Sequence, residues 1–374
     1  MQVFRLQMLR FAGQEPEAMF VLISPRAGVN LQWKIGQRLG MGRAMIQRRD
    51  FLRKTVKAGL GAGLGSVFRW EPVEAGPSRR GVVVKAQDAR LRRGRSLDTD
   101  RLGDLLDAAM QQLFDVDSAD EAWKKVVRPG EVIGLKVNCI AGKGNATTLE
   151  LVELVAERLQ RAGIRAKDII IWDRLNRDLE NAGYRIRYRG NRVRCFGNDA
   201  AGYDNRLFTY GSAGSLVTRV LTEMCDGFIN LPVLKDHGIV GVTLALKNLF
   251  GAIHNPNKYH INVGDPYVAD VFMFPPIRKK HRLTICDGTI GQYEGGPSYI
   301  RRWFWYPNML LVATDPVALD RIGWDLIEEK RKQEKLPSLK EDEREPRYIF
   351  TAADRNHRLG IADIERIRVL NVKM

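Results

Sequence analysis

Two lysines set among apolar residues, Lys235 and Lys247, bracket a histidine, His237, in the stretch 228–260. Ammonium groups held away from bulk water attract an anion strongly, and an imidazole beside them can act as acid or base near neutral pH. Asn248 follows Lys247 directly and adds an amide. Lys136 and Asn138 close the apolar run 132–137; standing two apart on a strand, they share a face and bring a third cation to a crevice, the alternative being a lysine that snorkels from a sheet edge. Further on, Asp287 opens a glycine-rich run that carries Glu294. These two carboxylates are placed to serve as a general base or as ligands of a divalent metal, unless Asp-Gly is only a turn. Asp315 is a third candidate for such a metal, although an Asp before Pro at a helix start is first of all an N-cap. His254 and His260 add imidazoles, but a six-residue separation across Pro256 matches no standard ligand spacing.

Positioning these groups takes alternating strands and helices. Apolar runs at 81–85, 132–137, 169–172, 228–231, 283–286, 309–313 and 367–372 read as strands. Helical periodicity marks 102–114, 119–127, 147–162, 215–224 and 316–329. This order predicts an α/β fold with a mostly parallel sheet flanked by helices. The run 239–250 is expected to be a helix opening after a polar turn at 235–238. Lys247 would then lie roughly 12 Å along the axis from the helix start, at the far end of a groove from Lys235, unless the helix is broken between them. The glycine-bearing loop 141–148 before the next helix is a candidate anion cradle. Arginines 185, 187 and 189 would line one face of a strand, either guarding a sheet edge or holding an acidic partner. The charged segment 330–347 reads as a solvated loop or a short surface helix.

With 374 residues and 44% hydrophobic content, the chain can bury a substantial core. Its net charge of +16 divides into +7 over residues 1–75 and +9 over the remaining 299. No zinc-finger spacing, aromatic RNA-binding motif or long basic helix accompanies that charge, so nucleic acid is not an expected partner. The four cysteines form no Cys-x-x-Cys pair, which argues against a zinc ribbon or an iron–sulfur cluster and leaves packing as their role or, in an oxidising compartment, a disulfide whose pair the spacing does not choose. Arg48-Arg49-Asp-Phe-Leu, a thirteen-residue weakly apolar run at 56–68 and Val73-Glu74-Ala75 have the form of a twin-arginine signal peptide over 41–75. Export of the folded chain to the periplasm or another extracytoplasmic space by the twin-arginine translocation machinery follows, with no stable transmembrane anchor, since thirteen residues fall short of a span; the alternative is a basic amphipathic helix on a cytosolic protein. Residues 1–40 form no recognisable element and read as a non-native or unstructured extension, with Met41 or Met45 as the natural start.

Leu231-Pro-Val-Leu-Lys-Asp-His-Gly, Thr243-Leu-Ala-Leu-Lys-Asn-Leu-Phe-Gly, Asp287-Gly with Glu294-Gly-Gly-Pro, and Thr314-Asp-Pro-Val-Ala-Leu-Asp together resemble the DUF362 family of uncharacterised prokaryotic proteins. The resemblance spans about residues 80–330, within a single α/β domain at 80–374. It implies that Lys136, Asn138, Lys235, His237, Lys247, Asn248, Asp287, Glu294 and Asp315 are motif positions, without fixing an activity. The ferredoxin-type domain of some relatives has no counterpart in these motifs. The expectation is an exported enzyme acting on a small anionic substrate, with a divalent metal as a candidate cofactor. The alternatives are a non-catalytic metal- or anion-binding protein and a redox partner.

Overall fold

The computed structural model describes residues 80–94 and 96–374, so the expected extension and signal peptide at 1–75 lie outside the described residues. Within the described part, one mixed sheet is built from β1 (Gly81–Gln87), β2 (Ile133–Lys136), β3 (Ile169–Trp172), β4 (Arg194–Cys195), β5 (Gly227–Asn230), β6 (Val233–His237), β7 (Gly241–Thr243), β8 (His281–Gln292), β9 (Phe304–Trp305), β10 (Met309–Ala313) and β11 (Ile367–Lys373). Their order is β11-β1-β10-β8-β5-β2-β3-β4, with β6 on the far half of β8, β7 on β6, and β9 on β8. The run from β8 through β5, β2 and β3 to β4 is parallel, and β10 runs antiparallel to both of its neighbours.

Side chains alternate across this sheet with the two-residue period of a strand. Val84, Leu135, Ile169, Ile229, Ile285 and Leu310 face a core closed by α1 (Thr99–Phe114), α2 (Ala119–Val126) and α3 (Leu149–Arg161) through Leu105, Trp123 and Val155. Val83, Ile170, Phe228, Cys286 and Leu311 face the other core, which holds α4 (Ala245–Asn248) and α5 (Pro316–Gln333) through Leu246, Val317 and Ile327. Each large apolar side chain removed from water in this way stabilises the fold by about 1.5–3 kcal/mol. The chain is therefore α/β, a mostly parallel sheet flanked by helices. No helix among the described residues is long and apolar enough to cross a membrane. All four cysteines are buried free thiols.

Three local expectations are corrected. The run 239–250 is not one helix: β6 continues through Lys235 to His237, turns at 238–240, and returns as β7 with Lys235 opposite Thr243. Gly241 takes a φ of 83°, and Ile239, Val240, Val242 and Thr243 are all β-branched, so a hairpin wins and only the single turn of α4, continued by a 3-10 turn at Leu249–Ala252, stays helical. Secondly, Asp287 does not end its strand; β8 runs on to Gln292. Its glycines serve close approach, since a Cβ on Gly288 would meet Met309 Cγ at 2.9 Å and one on Gly291 would strike the Trp305 ring. Thirdly, 330–347 is tied to the core by Arg331, which is 1% exposed. Of the arginine strand, Arg187 alone makes a bridge, to Cys195.

Candidate functional site

A cavity of about 330 Å³ opens where β2, β3 and β6 end. Because β2 and β3 are parallel with Lys136 beside Trp172, the residues just past them meet. Lys136 Nζ donates to Asp173 Oδ1 at 2.8 Å and to the carbonyl of Val137 at 2.6 Å. Gly251 supplies the room, for a Cβ there would lie 2.9 Å from both Lys136 Nζ and Asp173 Oδ1. Asp173 Oδ2 also accepts the backbone N–H of Cys139 at 2.7 Å, which pins the turn after β2.

A chain of amides runs behind this pair. Lys235 Nζ donates to Asn138 Oδ1 at 2.7 Å, Asn138 Nδ2 to Asn248 Oδ1 at 2.9 Å, and Asn248 Nδ2 to Asn230 Oδ1 at 2.8 Å. Asn230 Nδ2 ends the chain on the carbonyl of Ala245 at 2.8 Å, and every buried donor along it meets an acceptor. Asn248 Oδ1 also accepts Lys136 Nζ at 3.2 Å. The single-turn helix α4 is held from outside: Asp320 on α5 accepts the N–H groups of Ala245 at 2.6 Å and Leu246 at 3.0 Å. Those donors lack intrahelical partners, so Asp320 fixes where Lys247 and Asn248 stand. Burial pushes the Asp320 carboxyl up to about 8, against the pull of both N–H groups.

Lys247 stands apart from the other cations. It is 7% exposed, and its Nζ lies 4.5 Å from the Phe250 ring centroid with no hydrogen bond or ion pair among the described residues. Burial, then the charges of Lys235, Lys136 and Arg174, push its amine down to about 7. His237 faces the same space. Its Nδ1 accepts the N–H groups of Ile239 at 3.2 Å and Val240 at 3.4 Å, so the proton of the neutral ring sits on Nε2. Burial, with Lys247, His260, Lys235 and Arg344 nearby, holds the ring neutral far below its ordinary range. The His260 ring lies 5.3 Å from it and is pushed down to about 4 by burial and Lys247. Thr243 Oγ1, on the cavity wall, is buried without a partner.

The structure thus brings Lys136, Asn138, His237, Lys247 and Asn248 to one cavity and leaves other sequence candidates outside it. Lys235 is fully buried one layer behind, where it also donates to the carbonyl of Asn145 at 3.3 Å; burial lowers its amine to about 8. The loop 141–148 therefore wraps a lysine instead of an anion. Asp287 is a cap: Oδ2 accepts Thr148 N–H at 2.8 Å at the start of α3, and Oδ1 accepts from Thr289 N–H at 3.0 Å and its hydroxyl at 2.7 Å. Glu294 pairs with Arg331 and, at 2.7 Å, with Arg344; though burial opposes them, these partners hold its carboxyl below the usual range. Asp315 caps α5 through the N–H groups of Val317 and Ala318, both at 2.9 Å. These three carboxylates do not form one metal-ligand set, and no group of three or more His, Cys, Asp or Glu that could hold a metal ion occurs among the described residues.

Sequence reasoning missed Asp173, Arg174 and Asp178, all on the cavity wall, and ranked His260 too low. The signal for Asp173 was present, a carboxylate directly after the apolar strand 169–172, the same place that singled out Lys136. His254 packs edge-on against Tyr203 at 5.2 Å and is not part of the wall.

No curated protein matches the chain. Among solved structures, the crystal structure of a Thermotoga maritima protein aligns over 63% of this chain and 59% of its own, at 11% identity and a TM-score of 0.39. The chain thus spans less than two thirds of that protein's length. A family model described as a domain of unknown function, DUF362, matches residues 133–325, a stretch that holds every residue lining the cavity and the carboxylate that positions α4. With just over half of its length matched, the chain belongs to the DUF362 family.

Proposed function

We propose that the protein is an enzyme acting on a small anionic substrate held in the cavity, exported folded by the twin-arginine machinery to work outside the cytoplasm. The observation that carries the reading is Lys247, a buried cation whose charge no carboxylate answers, in a space of small-molecule size. An anion seated there would supply the missing partner. The Nε2–H of His237 and the hydroxyl of Thr243 would donate to it, while buried Phe250 and the half-exposed Ile140 and Ile239 add apolar surface. Lys136, Asn138 and Asn248 keep the wall rigid and are not free to leave their partners. On this reading His237 acts as a hydrogen-bond donor, and the amine of Lys247 is the group poised to exchange a proton near neutral pH.

The test is thermal unfolding with phosphate, acetate, malonate or lactate, on the wild type and on Lys247→Met. At least one anion should raise the wild-type midpoint by several degrees and leave the variant unmoved. Equal shifts in both proteins, or none in either, would defeat the reading. A bound anion that comes back chemically unchanged under every condition tried would favour capture over catalysis. Replacing Arg48 and Arg49 by lysines should strand the protein in the cytoplasm.

A further inference from the structure

This inference rests on the reading of the cavity as an active site and names its substrate class. We propose that Lys247 is a nucleophile that joins a small α-oxo carboxylate as an iminium. Three features of the wall converge on that chemistry. The Nζ of Lys247 is unpaired and faces open space, and burial beside Lys235, Lys136 and Arg174 brings its amine down to about 7, so much of it is unprotonated at neutral pH. An unprotonated lysine amine in a desolvated, cation-rich pocket is the form that attacks carbonyl carbon.

Next to it stand two groups suited to the carbonyl oxygen: the Nε2–H of His237, fixed by the two N–H bonds on Nδ1, and the partnerless hydroxyl of Thr243. Donors aimed at an oxygen that gains negative charge stabilise the addition step. The third feature is charge. Arg174 lies on the same wall, where its Nη2 donates to Asp178 Oδ2 at 3.3 Å and its buried Nε has no partner, and its planar guanidinium suits a second carboxylate. The iminium keeps a positive charge on Nζ, which that same carboxylate neutralises. Ile140, Ile239 and Phe250 favour an oxo acid with an apolar side chain.

The step balances without an oxidant or reductant. The neutral amine attacks the carbonyl carbon, a C–N bond forms, and the π pair moves to oxygen. The proton shed by nitrogen passes to that oxygen, giving a carbinolamine. The C–O bond then breaks, the hydroxyl leaves as water with one proton from solvent, and the protonated iminium remains.

The experiment incubates the purified chain with pyruvate or α-ketoisocaproate and sodium cyanoborohydride, which reduces an iminium to a stable secondary amine, and maps the adduct by peptide mass spectrometry. We expect Lys247 to be modified at least tenfold faster than any other lysine, α-ketoisocaproate to outpace pyruvate, and labelling to rise with pH through about 7. Lys247→Arg keeps the charge and should abolish the adduct; its thermal midpoint, and that of Lys247→Met, verify folding. Labelling spread over surface lysines at the rate of denatured protein would overturn the proposal. If lactate raises the midpoint while no adduct forms at Lys247, the iminium falls and the anion site stands. If neither oxo acid, lactate nor phosphate moves the midpoint, the active-site reading falls with it.

Discussion

Two clusters of charge, each holding motif residues, behave oppositely. Around Arg331 and Arg344, the carboxylates of Glu294, Asp342 and Asp236 answer every guanidinium: Arg331 pairs with Glu294 and Asp342, and Arg344 with Glu294 at 2.7 Å, Asp342 at 2.8 Å and Asp236 at 3.2 Å. Around Lys247, three further cations crowd a buried amine and no carboxylate reaches it. The first cluster is closed and clamps 330–347 to the strand ends. The second is open, and its open valence is what a ligand can fill. Residue type does not separate a scaffold from a site; the completeness of the partners does.

The sharpest way to break the contrast is at Arg331. It is 1% exposed, and Arg331→Ala would leave Glu294 and Asp342 sharing Arg344, so we expect a loss of about 3–5 kcal/mol, read as a lower urea midpoint. A loss under about 1 kcal/mol would mean that solvent already screens the cluster as it does a surface pair. Asp320 comes next. Asp320→Asn retains one acceptor but turns an amide N–H toward a backbone donor of α4, which should cost about 1–3 kcal/mol. Since the side-chain hydrogen bonds of Asp320 go to that helix start, the variant should also weaken any anion-induced thermal shift. Unchanged anion binding would show that the hairpin β6–β7 alone positions Lys247.

Much of this was legible before the structure. Lys136, Asn138, His237, Lys247 and Asn248 were all candidates in the sequence, and parallel strands deliver Lys136 and Asn138 to one edge, but Lys247 and Asn248 were expected on a long helix and stand on the single turn of α4. Asp287 and Glu294 carried the same outward signs and went elsewhere. The glycines around them looked like turn formers, but Gly288 and Gly291 make room for Met309 and Trp305 while the strand continues. A sequence shows that a backbone must lack a Cβ, and it does not show whether the reason is a bend or a neighbour. Likewise the pairing of Glu294 with Arg331 spans 37 positions and leaves no local trace. Asp320 shows the reverse case: inside its own helix it looks like a surface residue, and its purpose lies 75 positions upstream, on Ala245.

The smallest effect is the most diagnostic of the open cluster. The amine of Lys247 titrates at about 7 in the folded protein and at about 10.4 once unfolded. Between those values the unfolded chain binds more protons, so this group makes stability rise with pH across that window. Below about 7 both states are protonated and the cost of the buried ammonium is present in full. Lys247→Met keeps the stem and removes the charge, so it should be more stable than the wild type near pH 6. Each unit of depression is worth about 1.4 kcal/mol, so the gap should change by up to about that much for each pH unit across the window. The gap should shrink steadily as pH rises past 7 and close by about 10.4. The quantity to measure is the difference between the two urea unfolding curves, because Asp320 and Asp236 titrate in both proteins and cancel. A gap that stays flat with pH would mean that the Lys247 charge is already answered in the free protein, and the distinction between the two clusters would be lost.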